Sequence, residues 1–246
     1  MSTLIAVAGG TGLVGRLVVE EVRRAGATPV VVARSAGVDL TTGAGLDAAL
    51  DGVDAVVDVS NVTTLGARRS VAFFEAATGH LLAAGERAGV RHHVALSIVG
   101  CDRVDLGYYR GKRRQEELVA AGPVPWTVLR ATQFHEFAGQ LVDRSPAPLA
   151  MAPRMLCQPV AAAEVAAALV ATALGAPRGL APDLGGPAPE RMDRLVRREL
   201  RRRGAHRLVV PLPMAGAAGR QVREGGLLPG PGATLGTQTF DAWARG

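Results

Sequence analysis

Gly9-Gly10-Thr11-Gly12-Leu13-Val14-Gly15 decides how this chain is read. The stretch carries two overlapping spacings, Gly10-x-Gly12-x-x-Gly15 and Gly9-x-x-Gly12-x-x-Gly15. Residues 3–8 before it form a short apolar run, predicted as a buried strand. Residues 12–25 after it place Leu13, Leu17, Val18 and Val22 at helical spacing, with Arg16, Glu20, Glu21, Arg23 and Arg24 elsewhere. Gly26 follows as a helix stop. A glycine pattern alone says little. Set between a strand and a helix it has a mechanism, because glycines let backbone N–H groups approach a pyrophosphate. The new helix also presents unpaired N–H groups to the anion. Gly9, Gly10, Thr11, Gly12, Leu13, Val14 and Gly15 are therefore expected to hold the phosphates of a dinucleotide.

Working outward, strand-like and helix-like segments alternate. Residues 28–33, 54–59, 91–97 and 126–130 read as further strands, and 68–89 and 107–121 as helices, the latter ended by Gly122-Pro123. This order predicts an α/β fold, a doubly wound parallel sheet, with strands rich in valine and buried on both faces. After Arg130 the pattern loosens: a short helix over 134–142, an alanine-rich helix over 159–174, a basic helix over 190–203, a strand over 207–210 and a loop over 225–236. One domain is expected over 1–246, with its core at about 1–133 and a small C-terminal substrate-capping region at about 134–246.

Composition narrows the function. Of 246 residues, 48% are hydrophobic and 20% charged, too apolar for disorder. No apolar run approaches the roughly 18–20 residues of a membrane helix. The first apolar run is too short for a signal peptide. Cys101 and Cys157 are too few for a disulfide framework, and His92-His93 has no ligand cluster around it. These readings predict a cytoplasmic protein without a metal or membrane partner. The segment from Arg191 to Arg207 is dense in arginine, yet lacks the aromatic interleaving of single-strand binders. A solvated helix face is expected there, and no nucleic acid.

The end of the second strand chooses between cofactors. An NAD site carries a carboxylate there to hold the ribose hydroxyls. Here Arg34 and Ser35 stand, Arg34 lying 19 residues after Gly15. A guanidinium suits a 2′-phosphate, so NADP(H) is expected over NAD(H). Asp39 and Leu40 follow at the adenine edge. Val59, Ser60 and Asn61 close the third strand and are expected near the nicotinamide ribose.

One lysine, Lys112, stands among 28 basic residues, and both tyrosines, Tyr108 and Tyr109, lie within five residues of it. Where arginine serves, this chain uses arginine, so the retained lysine marks a need for an ammonium. Tyr108-x-x-x-Lys112 places phenol and amine on one helix face. A nearby ammonium favours the phenolate, which suits acid–base work near neutral pH. Lys112 can also donate to cofactor ribose hydroxyls. Ser97, at the end of the fourth strand, can orient a carbonyl beside Tyr108. Gln133, Phe134, His135 and Phe137 follow the fifth strand and are expected to line the substrate pocket.

With these motifs the chain resembles the short-chain dehydrogenase/reductase superfamily, and within it the atypical, NmrA-like NAD(P)-binding group. Thr127-Val128-Leu129-Arg130-Ala131-Thr132-Gln133-Phe134, Gln158-Pro159-Val160 and Gly236-Thr237-Gln238-Thr239-Phe240 carry the resemblance further. It implies a Rossmann-type fold, an NADP cofactor, and a Ser97/Tyr108/Lys112 set for hydride transfer to or from a small-molecule carbonyl, alcohol or activated double bond. The Ser97–Tyr108 interval of 11 residues is slightly tight for the usual enzymes. The competing expectation is a non-catalytic regulator that senses the NADP redox state and binds a protein partner. Either reading fits a monomer or a homodimer.

Overall fold

The computed structural model describes residues 2–245. They form two compact units. Of the described residues, the first takes 2–97, 106–130 and 163–181, and the second 98–105, 131–162 and 182–245.

The first unit runs β1 (Leu4–Ala8), α1 (Leu13–Arg24), β2 (Thr28–Val32), α2 (Leu46–Leu50), β3 (Ala55–Asp58), α3 (Ala67–Arg87), β4 (His92–Ile98), α4 (Gly107–Ala121) and β5 (Trp126–Ala131). It ends with α6 (Ala162–Leu174) and β8 (Gly179–Leu180), after a passage through the second unit. Its strands lie in the order β2-β1-β3-β4-β5-β8. Pairing is parallel from β2 through β4 and between β5 and β8. Ala6 therefore lies beside Val30 on one side and Val56 on the other. β3 is buried at every position and β4 at all but its last, as the valine-rich runs predict for strands covered on both faces. β2 is the exception. It stands at the sheet edge and is only half-buried.

Ala6, Ala8, Val56 and Ala95 share a core with Leu46, Leu50, Leu81, Leu82 and Val119, contributed by α2, α3 and α4. Each fully buried Val or Leu side chain contributes about 1.5–3 kcal/mol. α3 and α4 pack closely, and Gly111 is the reason. A Cβ there would overlap Ser70 Oγ and stand 2.8 Å from Phe74 Cδ2. The gap left by the missing side chain lets Ser70 Oγ donate to Tyr108 O at 2.8 Å.

The second unit contains α5 (Glu136–Arg144), β6 (Leu149–Pro153), β7 (Leu156–Cys157), β9 (Leu184–Gly185), β10 (Glu190–Arg191), α7 (Met192–Arg202), β11 (Leu208–Leu212), α8 (Gly216–Arg223), β12 (Thr234–Leu235) and α9 (Phe240–Trp243). β6 pairs in parallel with β11, β7 antiparallel with β10, and β9 in parallel with β12. Helix starts here differ from the sequence expectation for one reason: backbone groups are already engaged. Val160 N donates to Gln133 O and His135 N to Val160 O, so α5 begins at Glu136 and α6 at Ala162. Glu190 and Arg191 pair with Cys157 and Leu156, so the basic helix begins at Met192. Within the loop expected over 225–236, Thr234–Leu235 forms a strand.

Most of the arginines in and beside α7 pair within the chain. Asp193 bonds Arg191 and Arg197, and buried Glu199 holds Arg202 and Arg203. Arg198 joins Glu190 and Asp241. Hydrogen bonds from Arg202 and Arg203 hold the Glu199 carboxyl below its usual range. No helix among the described residues is long and apolar enough to cross a membrane.

Candidate active site

The turn after β1 is built on two different uses of glycine. Gly9 has φ +81°, and a Cβ there would stand 3.0 Å from Ser60 Cα and Val59 O. Gly15 begins the buried face of α1, where a Cβ would overlap Gly9 O and lie 2.7 Å from Gly10 Cα. Both are required by the chain's own packing. Gly12 is different. It caps α1 with φ −72°, and a Cβ would meet only Gly9 O at 3.3 Å. Little within the protein asks for glycine here, whereas an anion lying on the backbone would. The first turn of α1 holds no acidic residue, and no side chain caps it. These features fit a pyrophosphate at the start of a helix.

β3 ends beside this turn. Its tip is fixed by Asp58, fully buried, whose Oδ1 accepts Ser60 N at 2.9 Å. The Ser60 hydroxyl is buried and has no hydrogen-bond partner, a polar group left unsatisfied against the glycine turn. Asn61 follows. Its Oδ1 accepts the Tyr108 hydroxyl at 2.6 Å. The expected nicotinamide-ribose residue and the expected proton donor thus meet.

Tyr108 is half-buried, with its ring 6.1 Å from those of Phe74 and Tyr109. Lys112, one turn on, is 4% exposed. Its Nζ donates to Leu96 O and Gln115 Oε1, each at 2.8 Å, and lies 4.4 Å from the Phe74 ring centroid. A buried ammonium needs such partners, and the aromatic face adds to them. Ser97 is buried at the end of β4. Gln115 is a residue the sequence reading passed over. It is fully buried and donates to Asp58 Oδ2 at 2.8 Å. The i+3 spacing from Lys112 is the one signal that could have found it. His93 is also buried nearby. Burial pushes its imidazole below the usual range, partly offset by the Asp58 charge.

Arg34 and Ser35 open a short 3-10 turn straight after β2 and are exposed. Asp39 lies near enough to Arg34 to feel its charge. Hydrogen bonds from Thr41, first of all from its side chain, keep the Asp39 carboxyl below its usual range. Leu40 packs partly buried against the core, and its carbonyl contacts His80 Nδ1 at 3.0 Å.

The expected substrate residues fall in the second unit. The Gln133 carboxamide is buried with neither of its polar atoms hydrogen-bonded. Phe134 bridges to Val160, and Phe137 is half-buried. His135 is 1% exposed, its Nε2 is 2.9 Å from Gln238 O, and it sits against Phe240 and Trp243 with ring centroids 5.7 and 5.6 Å away.

Comparison with known proteins gives the family and the fold. A family model described as NAD(P)H-binding matches residues 9–175. A (4-alkanoyl-5-oxo-2,5-dihydrofuran-3-yl)methyl phosphate reductase of Streptomyces griseus is 34% identical over 145 residues. That match covers 53% of this chain and 48% of the relative, so the alignment spans about half of each. An NADPH-dependent quinone oxidoreductase of Escherichia coli superposes with a TM-score of 0.70 at 17% identity, covering 98% of both chains. A UDP-glucose 4-epimerase of Thermus thermophilus, solved with NAD, gives a TM-score of 0.71 at 17% identity over 99% of both.

Proposed function

Because the chain belongs to the NAD(P)H-binding family, with the Rossmann-like fold of the atypical short-chain dehydrogenases/reductases, we propose that it is an NADP(H)-dependent oxidoreductase acting on a small-molecule carbonyl, alcohol or activated double bond. The observation that carries this reading is a convergence at one sheet edge. Gly9 packs on Ser60, and the next residue, Asn61, accepts the hydroxyl of Tyr108. Phosphate turn, strand tip and phenol are therefore linked by two direct contacts, at the carboxyl ends of parallel strands where such sheets take ligands.

The residues divide the work. Backbone N–H groups of the turn from Gly9 to Gly15 hold the pyrophosphate. Arg34 and Ser35, exposed at the end of β2, take the 2′-phosphate. Asp39 and Leu40 flank the adenine, and Val59, Ser60 and Asn61 the nicotinamide ribose. A bound nicotinamide would supply or accept the hydride. Tyr108 delivers or receives the accompanying proton at its Oη, Ser97 orients the substrate oxygen, and the Lys112 ammonium gives the neighbourhood a fixed positive charge. Gln133, Phe134, His135 and Phe137 belong to substrate recognition in this reading. The reductase named for the Streptomyces relative supports reduction as the direction.

The test is NADPH consumption by the purified protein on a panel of quinones, unsaturated lactones and aldehydes. Turnover that depends on Tyr108 supports the reading. Tight binding of oxidised cofactor with no turnover on any of these would favour a cofactor-sensing regulator instead.

A further inference from the structure

Lys112 and Asp58 are opposite charges, both buried in the first unit, and a carboxamide stands between them. Gln115 Oε1 accepts from the ammonium and Gln115 Nε2 donates to the carboxylate, each at 2.8 Å. The two partners fix which way the amide faces: its oxygen must meet the donor and its nitrogen the acceptor. Tyr108, Lys112 and Gln115 lie at i, i+4 and i+7, one face of α4. That face meets the end of β3 at two points, Tyr108 with Asn61 and Gln115 with Asp58. Asp58 in turn holds Ser60 N, immediately before Asn61.

We propose that Gln115 is a positioning residue, whose carboxamide fixes the Lys112 ammonium and locks the face of α4 that carries Tyr108 to the tip of β3. It is fully buried and acts through Lys112 and Asp58. An apolar side chain of the same size would leave a buried ammonium and a buried carboxylate each short of a partner, which costs more than the bonds themselves contribute. The consequence for NADP(H) binding rests on the function proposed above, and the hold on Lys112 does not.

The single lysine makes the test direct. Full-length protein labelled with 13C,15N-lysine gives one Cε–Nζ correlation, that of Lys112. In cofactor-free protein, Gln115→Met is expected to move this peak and speed Nζ hydrogen exchange about tenfold, the effect of losing one bond to a charged group. NADPH affinity falls by a similar factor. Should Gln115→Met fail to fold, Gln115→Glu keeps the volume and the oxygen facing Lys112 but turns a carboxylate on Asp58; its Lys112 peak also moves and its NADPH affinity also falls. An unchanged Lys112 peak and exchange rate in the folded variant would overturn the proposal. A wild-type Lys112 peak that ignores saturating NADPH would instead count against the proposed function, leaving the Gln115 result to be read by itself.

Discussion

The Tyr108 hydroxyl donates to Asn61 Oδ1 at 2.6 Å, joining the first turn of α4 to the residues that follow β3. A carboxamide oxygen can only accept, so this bond directs the phenolic proton toward Asn61. Under the function proposed above, this same hydroxyl is the one that exchanges a proton with the substrate oxygen.

Tyr108→Phe removes that proton. Turnover on a verified substrate is expected to fall by roughly 10²–10⁴-fold, the usual contribution of a general acid, while NADPH affinity changes little. Steady-state kinetics beside a binding titration measures both, and full retained turnover would remove Tyr108 from the chemistry.

Arg34→Ala should separate the two cofactors. One charge-assisted contact to a 2′-phosphate corresponds to roughly 10–100-fold in NADPH affinity. NADH, which lacks the phosphate, should bind almost as before. Calorimetry with both cofactors decides the matter, and an equal loss for each refutes the contact.

The glycines of the turn divide by purpose. Gly15→Ala should unfold at markedly lower temperature, because the added Cβ overlaps Gly9 O. Gly12→Ala should stay within about 1 kcal/mol of wild-type stability, the range of a helix-cap change. Its loss should appear in cofactor binding. Melting curves with and without NADPH test the pair; a Gly12→Ala protein that binds normally would leave the open cradle without a role.

Acid should destabilise the protein in two stages. Burial holds both His92 and His93 below the ordinary value of 6.5, so the unfolded chain binds their protons more readily than the folded one. The stability this represents is complete above about pH 6.5 and is lost as pH falls below it. Arginine bonds hold Asp143 and Glu199 low, which adds a second loss where carboxylates titrate, below about pH 4.5. Melting temperature followed from pH 8 to pH 3 should show both steps. His92→Gln should shrink only the first, and a flat profile between pH 7 and pH 5 would contradict the histidine assignment.

Both cysteines are buried, and burial pushes the Cys157 thiol up to about 12. A thiol reagent should label neither in the native protein at neutral pH and both after denaturation. Rapid native labelling would show an opening of the structure around one of them.

What the sequence determined by itself is what rests on local physics. The glycine turn between apolar strand and amphipathic helix, the apolar runs of β1 and β3, and the i, i+4 pair of Tyr108 and Lys112 all follow from neighbours along the chain. Each element of the first unit longer than five residues was legible for that reason. Only the tertiary structure decided the rest. It put β2 at a sheet edge and started α5 and α6 late, because Val160 pairs with Gln133 and His135. It gave five-residue α2 and, β11 apart, the short strands of the second unit, whose stability comes from distant partners. Above all it decided the surroundings of the lone lysine. Gln115 and Asp58 are separated by 57 residues, and no periodicity joins them. They meet because a buried ammonium and a buried carboxylate must each find a hydrogen-bond partner, and folding brings a carboxamide between the two.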